Sequence, residues 1–546
     1  VNTADLIVAA LENEGVKYVF GIPGEENLHL IHALSNSEQI EFILTRHEQA
    51  AAFMAEMVGR LTGRAGVCLA TLGPGAINLL LGVADAQLDS HPMVAISAQA
   101  SLDRQHKESH QVVDLVAMFD PITKWGEMLM VPGAAAEMVR KAFKEAESER
   151  QGATALIVPE DIAGVEVEGR PLRVNRPRPT APSISQVARA VEVIDDARAP
   201  IVLAGAGVSR EGASLELVRM AERLNLPVAT TFLGKGVMPD DHPNALGTIG
   251  FMMRDYTNFG FEESDCVIAV GYDPVEYPPA RWNPSEDKAI VHVHRSTAEV
   301  DVGYQLSVGL QGDLGKNLDA LGEAGRRRDP MPCSNTPARR LLAEELESGA
   351  SDDRFPLAPA RIVSDIRSAM GREDILLCDT GALKMWLARL YPTYAPETCM
   401  ISNGLATMAF TLPGAIAAKM LRPERKVMAT MGDGAFMMNS QEIETAVRHG
   451  IDITILIWED GGFGLIGWKQ ELEMKRQAHV GFSNPDFVRY AEAYGAVGHA
   501  VTSADQLLPM LRTALDEPAV SVVTCPVDYS ANAELTAKLG ALTAAL

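Results

Sequence analysis

Short apolar runs recur along the chain, and they stop at glycine turns that open onto segments with helical spacing of apolar positions. Residues 4–14 form one such amphipathic pattern behind Asn2 and Thr3, either of which can cap a helix. The run 18–20 ends in Gly21-Ile22-Pro23-Gly24. The run 66–71 ends in Gly73-Pro74-Gly75 and leads into a helical pattern over 76–88, and runs at 93–97 and 155–158 complete this first block. Further on, 427–431 stops at Gly432-Asp433-Gly434 and 453–458 at Glu459-Asp460-Gly461-Gly462, with a helix predicted over 436–449 between them. Short runs without polar alternation read as strands buried on both faces, the mark of parallel sheets covered by helices. Their spacing predicts βαβ units with right-handed crossovers. The fold class that follows is α/β, with three doubly wound parallel-sheet domains.

The domains are expected at 1–165, 185–325 and 360–546. The linker 166–184 contains the Pro- and Arg-rich stretch 170–179, and the linker 326–359 is polar with one short helix near 338–346. A chain of 546 residues is too long for one core. Blocks one and three share length and grammar without a direct sequence repeat. A net charge of −24 argues against nucleic acid or an anionic membrane as partner, since both need a basic footprint. The six cysteines are scattered without a CxxC pair and read as reduced thiols. With no basic signal region in Val1-Asn2-Thr3-Ala4-Asp5 and no long charge-free apolar stretch, a cytoplasmic location is expected.

The candidate chemistry sits where strands end. Asp433 and Asp460, 460 − 433 = 27 residues apart, fall at the carboxyl ends of neighbouring parallel strands, facing the crevice where open α/β sheets bind ligands. Two carboxylates converging there repel each other unless a cation lies between them, and oxygen ligands beside a diphosphate suit Mg²⁺. Gly-Asp-Gly alone is an ordinary turn; the second acidic turn at the matching distance singles it out. A different glycine turn, Ala204-Gly205-Ala206-Gly207-Val208-Ser209 after the run 201–203, suggests dinucleotide binding. The third glycine of that fingerprint is Arg210, so a tight strand-to-helix turn is the plainer reading.

The pair of acidic turns resembles the thiamine diphosphate-binding motif. The resemblance implies thiamine diphosphate and Mg²⁺ as cofactors, with Asp433, Asp460 and the carbonyl of Gly462 as metal ligands. The family's usual Asn-Asn is replaced here by Glu459-Asp460, which adds negative charge. Thr45-Arg46-His47-Glu48-Gln49-Ala50-Ala51 looks like the segment whose glutamate bonds the pyrimidine ring, so Glu48 becomes the candidate activator. The apolar helix that follows should partly desolvate it. Ser402-Asn403-Gly404-Leu405-Ala406-Thr407-Met408 resembles the hinge segment. Met408 is then the apolar wedge that keeps the cofactor bent, and the backbones of Ala406 and Met408 meet the pyrimidine edge. Backbone groups of Gly432, Gly434, Ala435, Phe463, Gly464, Leu465 and Gly381 are implied around the diphosphate. The family often has polar residues where Ala382 and Leu383 stand, so Lys384 is a further phosphate candidate. Pro23, Gly24, Thr71 and Asn78 lie in loops implied around the pyrimidine and the reacting carbon.

Over essentially its whole length the chain is similar to acetolactate synthases. Ser109-His110-Gln111, the stretch 114–119, Thr123-Lys124, the Tyr-rich stretch 270–277 and Arg281-Trp282-Asn283 look like the catabolic branch, which lacks FAD. The implied reaction decarboxylates pyruvate and transfers the remaining two-carbon unit to a second 2-oxoacid, giving 2-acetolactate. Gln111 would bond the reacting oxygens with His110 beside it. Arg254, Lys124 or Lys384 would hold the acceptor carboxylate, and Trp468-Lys469 would sit on a mobile helix or pack as core. The resemblance also implies a homodimer or tetramer with active sites across subunits. The alternatives are another 2-oxoacid decarboxylase or acyltransferase on the same cofactor, and a non-catalytic scaffold or regulatory relative. The presence of Glu48, Asp433 and Asp460 argues against the last.

Overall fold

The computed structural model describes residues 1–176, 178–333 and 337–545. Pro177 of the first linker, residues 334–336 of the second and Leu546 lie outside the described residues. Among the described residues, eighteen strands form three six-stranded sheets, and every strand pair within them is parallel.

The first sheet contains β1 (Tyr18–Gly21), β2 (Glu41–Leu44), β3 (Gly66–Ala70), β4 (Met93–Gln99), β5 (Trp125–Met128) and β6 (Ala153–Pro159), in the order β2-β1-β3-β4-β6-β5. The second contains β7 (Pro200–Ala204), β8 (Val228–Thr230), β9 (Ala245–Thr248), β10 (Cys266–Val270), β11 (Ala289–His294) and β12 (Leu306–Gln311), in the order β12-β11-β10-β7-β8-β9. The third contains β13 (Ile375–Cys378), β14 (Cys399–Ile401), β15 (Val427–Gly432), β16 (Thr454–Glu459), β17 (Val497–Ala500) and β18 (Ser521–Pro526), in the order β14-β13-β15-β16-β18-β17. Counted from its own first strand, the third sheet repeats the order of the first. The second has instead the 3-2-1-4-5-6 order of dinucleotide-binding folds.

The expected α/β class with three parallel-sheet domains is therefore what the chain adopts. β3, β4 and β6 are buried along their whole length, which is why their apolar runs were legible. Within the first sheet, two strands were not read from the sequence. β2 and β5 are the edges of the first sheet and hold one fully buried position between them, so neither is buried on both faces along its length.

The chain folds into two compact units. One gathers 1–177, 404–423 and 439–451; the other gathers 178–403, 424–438 and 452–546. Within the first, the helix Glu48–Thr62 is central. His47 caps it by accepting the Gln49 N–H at 3.1 Å, and Gly63 closes it at φ 64°. Its alanines and Phe53 are buried, and Phe53 meets Phe410 edge to face at 6.5 Å.

The helix predicted over 436–449 is a correction. Two helices occupy that stretch, Asp433–Asn439 and Glu442–Arg448. The break lies at Ser440-Gln441. Asn439 donates its side-chain amide to the Ala409 carbonyl at 2.9 Å and accepts from Gln441 Nε2 at 3.2 Å. Polar side chains that bond locally in this way compete with the helical ladder.

None of the six cysteines, all among the described residues, is joined in a disulfide. Among the described residues, no helix is long and apolar enough to cross a membrane.

Candidate functional site

In sheets one and three, strand order reverses between the first and third strands, and ligands of open α/β sheets bind at such switch points. In the first sheet the loops at that point are Gly21–Gly24, after β1, and Thr71–Gly75, after β3. Asn27 shapes the first loop, accepting the Gly24 N–H at 2.9 Å and donating to the Ile22 carbonyl at 3.1 Å. Pro23 is exposed between them. A Cβ on Gly24 would lie 2.4 Å from Thr71 Cβ, so only glycine lets the two loops meet. A Cβ on Gly75 would stand 3.2 Å from Glu48 Oε1, and Asn78 Nδ2 donates to Glu48 Oε2 at 3.0 Å. Glu48 is buried, in the first turn of its helix, where the helix dipole favours a carboxylate.

The structure thus brings Gly24, Thr71, Asn78 and Glu48 together and adds a residue the sequence reading missed. Glu26, also buried, accepts from the Thr71 hydroxyl at 2.9 Å. Its only signal in the sequence was an acid following the glycine loop. Gln111 joins this group through its backbone. Its φ is +61°, and its carbonyl oxygen lies 2.7 Å from where a Cβ on Gly73 would be. His110 is exposed, with its carbonyl held by Arg104 at 3.2 Å. Ala406 takes φ +56° in the turn that carries half-buried Met408; both belong to the same compact unit.

The second group lies in the other unit, at the tips of β15 and β16. Gly432 pairs with Trp458, so the two acidic turns emerge side by side. Asp433 is fully buried. Its Oδ2 accepts from the N–H groups of Asp460 (3.1 Å) and Gly461 (2.7 Å) and from Asn484 Nδ2 (2.7 Å), and its Oδ1 accepts from the Gly434 N–H at 2.7 Å. Asn484, from a distant loop, has no signature in the sequence. Asp460 is pushed up to about 7, first by burial and then by the charge of Asp433. Two carboxyl groups held this close are the donor set of a hard divalent cation, which would relieve the repulsion.

The surroundings are cut to backbone dimensions. A Cβ on Gly464 would lie 2.8 Å from Asp460 Oδ2, and one on Gly434 would lie 3.0 Å from the Phe463 ring. Gly462 pairs with Gly481, Ala435 is buried and Leu465 half-buried. Gly381, at φ +155°, opens the helix Ala382–Leu390, and a Cβ on Gly432 would touch Leu383. A diphosphate bound by backbone N–H groups fits such walls.

The three proposed cations are engaged elsewhere. Lys384 is buried and donates to the Ser402 carbonyl at 2.9 Å. Lys124 donates to the carbonyls of Glu145 and Ser148, both at 2.5 Å, and burial lowers it to about 8. Arg254 is paired with Glu262 and lies over the Phe259 ring. Trp468 is core: it is buried, and its Nε1 donates to Thr536 at 3.1 Å.

The glycine turn of the second sheet is a tight packing turn. It sits at that sheet's switch point, between β7 and β10. Gly207 N–H donates to the Gly271 carbonyl at 2.8 Å, and a Cβ on Gly207 would lie 2.7 Å from Gly271 Cα. Where a dinucleotide would place its diphosphate, the carboxylate of Glu276 accepts the Ala206 N–H (3.0 Å), the Thr231 hydroxyl (2.5 Å) and the Asp273 N–H (3.0 Å). Burial, reinforced by Asp273, raises Glu276 to about 7. The Tyr-rich stretch beside it is packed core, with Trp282 donating to Tyr272 Oη at 3.2 Å and meeting Tyr304 edge to face. Glu276→Ala is expected to lower the melting temperature by several degrees in calorimetry. Three buried donors lose their acceptor, at about 1–3 kcal/mol each.

Residues 1–118 match the N-terminal TPP binding domain of thiamine pyrophosphate enzymes, 187–321 the central domain and 379–525 the C-terminal TPP binding domain. The chain is 34% identical to the acetolactate synthase of Bacillus subtilis (strain 168), covering 97% of this chain and 94% of that protein. It is 37% identical to the catabolic acetolactate synthase of Raoultella terrigena, covering 98% and 97%. A probable acetolactate synthase large subunit of Methanocaldococcus jannaschii is 34% identical, covering 94% and 89%. With three domain matches in order and similarity over nearly its full length, the chain belongs to the thiamine pyrophosphate enzyme family.

Proposed function

We propose that this chain is a thiamine diphosphate- and Mg²⁺-dependent acetolactate synthase, which decarboxylates pyruvate and joins the two-carbon unit to a second 2-oxoacid. What carries the proposal is the coincidence of full-length similarity to acetolactate synthases with two acidic strand tips whose carboxyl groups repel. When bound, thiamine diphosphate supplies a carbon nucleophile and an electron sink for the decarboxylation. Asp433, Asp460 and the Gly462 carbonyl would ligate the Mg²⁺, and the backbone around Gly381, Gly432, Gly434, Ala435 and Phe463–Leu465 would hold the diphosphate. Glu48 would bond the pyrimidine ring and carry its proton, oriented by Asn78 at 3.0 Å. Met408 and Ala406 would set the bent cofactor shape. Gln111, fixed against Gly73, would reach the reacting oxygens, with His110 nearby.

In this reading 1–165 is the pyrimidine-binding domain, 185–325 a central domain without FAD, and 360–546 the diphosphate-binding domain. Glu276 in the central crevice supports the absence of FAD, because its carboxyl group takes the Ala206 N–H that a diphosphate would use. A homodimer or tetramer in the cytoplasm is proposed. Ile77 and Leu81, exposed and one turn apart on the helix Pro74–Leu88, offer an apolar stripe for a partner subunit.

A second reading has a specific observation behind it. Glu26 adds a second buried carboxylate across Thr71 from Glu48, and negative charge there disfavours an anionic acceptor. That favours a decarboxylase or an acyltransferase with an uncharged acceptor. Incubating the protein with pyruvate, Mg²⁺ and thiamine diphosphate separates the two. 2-Acetolactate with one CO₂ per two pyruvates is expected. Acetaldehyde without acetolactate would establish the decarboxylase instead.

A further inference from the structure

Two helices that begin at the proposed pyrimidine site also carry a buried cluster that the chemistry above does not use. The helix Glu48–Thr62 starts with Glu48 and carries Glu56 two turns on. The helix Pro74–Leu88 carries Asn78 near its start and Asp85 in its last turn, with Asp89 as its C-cap. Glu56, Asp85, Asp89 and His91 are all buried. His91 Nδ1 lies 2.9 Å from Glu56 Oε1, and the ligating atoms of Glu56, Asp89 and His91 fall within 4.8 Å of one another. Burial, then the charges of Asp85 and Asp89, push Glu56 well above the usual carboxylate range. Acidic groups at a helix C-terminus face the negative end of the dipole, and burial makes them costlier still. An arrangement so unfavourable to the helix alone calls for something that it holds.

That something is the turn 404–409. Asp89 Oδ1 accepts the Gly404 N–H at 2.5 Å, and Asp85 Oδ1 accepts the Thr407 hydroxyl at 2.7 Å. A Cβ on Gly404 would lie 2.7 Å from Asp89 Oδ1 and 2.8 Å from the Leu88 carbonyl oxygen, so glycine is required for this approach. Between and beyond the two anchors the backbone is strained: Ala406 sits at φ +56° and Ala409 at φ +73°, both unusual for alanine. Such conformations persist where the surroundings over-determine them. Ala406 and Met408, which flank Thr407, are the residues assigned above to the pyrimidine.

We propose that Asp85 and Asp89, backed by Glu56 and His91, are positioning residues that clamp the turn 404–409 in the strained shape that receives the pyrimidine end of the cofactor. The inference rests on the thiamine diphosphate reading. It makes the last turn of the helix that carries Asn78, backed by Glu56 from the neighbouring helix, hold the turn that receives the pyrimidine. Thr407→Val removes one anchor while keeping the side chain's shape, and Thr407→Ser keeps the hydroxyl.

The test is calorimetric titration of the intact, purified protein with thiamine diphosphate and, separately, with inorganic pyrophosphate, both in Mg²⁺. Thr407→Val is expected to weaken thiamine diphosphate about tenfold, the size of one lost hydrogen bond to a charged group, while pyrophosphate affinity stays unchanged. Thr407→Ser is expected to restore the wild-type value. Equal weakening of both ligands, no weakening of either, or failure of serine to rescue would overturn the clamp. If the wild-type protein binds no thiamine diphosphate, the failure lies in the functional reading itself.

Discussion

Glu48→Gln is expected to reduce turnover of pyruvate by at least about a hundredfold while thiamine diphosphate still binds. Glutamine keeps the shape of the side chain and one hydrogen-bonding oxygen. It cannot exchange a proton with a ring nitrogen, which is the role the carboxyl would play. The surroundings favour this outcome. Glu48 is buried, it sits in the first turn of a well-capped helix, and Asn78 fixes its Oε2 from a second helix. Steady-state kinetics at saturating cofactor, with cofactor binding measured separately by calorimetry, checks both halves. Unaltered turnover would remove Glu48 from the chemistry.

The second large effect is expected at the strand tips. Asp433→Ala should weaken Mg²⁺-dependent cofactor binding by more than about a hundredfold, beyond what loss of an outer-shell partner causes. The carboxylate has two tasks. It would ligate the metal, and it gathers the N–H groups of Asp460 and Gly461, so it shapes the second acidic turn as well. Asn484→Ala should cost only about tenfold, because Asn484 touches Asp433 Oδ2 and would act on the metal through it. Titration of Mg²⁺ at fixed thiamine diphosphate, with far-UV circular dichroism to follow the sheets, distinguishes the two. Equal effects at both positions would mean that the turn's shape, and not metal ligation, decides binding.

Much of the site geometry was invisible before folding, for reasons that differ from residue to residue. Glu26 and Asn484 approach the glycine loop and Asp433 from loops whose course is set by the rest of the domain. Nothing in the immediate neighbours of Asn484 marks it out, and Glu26 shows only as an acid just past the glycine loop. Lys124, Lys384 and Arg254 were plausible anion ligands as sequence, since a free cation and a satisfied one look alike there. Only tertiary contacts with the carbonyls of Glu145, Ser148 and Ser402, and with Glu262, reveal where each charge goes. Asp85 and Asp89 read as ordinary polar positions on a helix until Thr407 and Gly404, more than three hundred residues away, are found against them.

The sequence by itself determined the fold class, the glycine turns at strand ends and the paired acidic tips, because burial on both faces forces continuous apolar runs and close backbone approach forces glycine. Those demands are local and leave local marks. The tertiary structure alone decided the strand orders, including the shared order of sheets one and three and the dinucleotide-like order of the middle sheet whose crevice Glu276 fills. It also decided the edge strands β2 and β5 and the broken helix at Ser440. Strand adjacency and the fate of each buried charge depend on contacts between distant segments, and no periodicity along the chain records them.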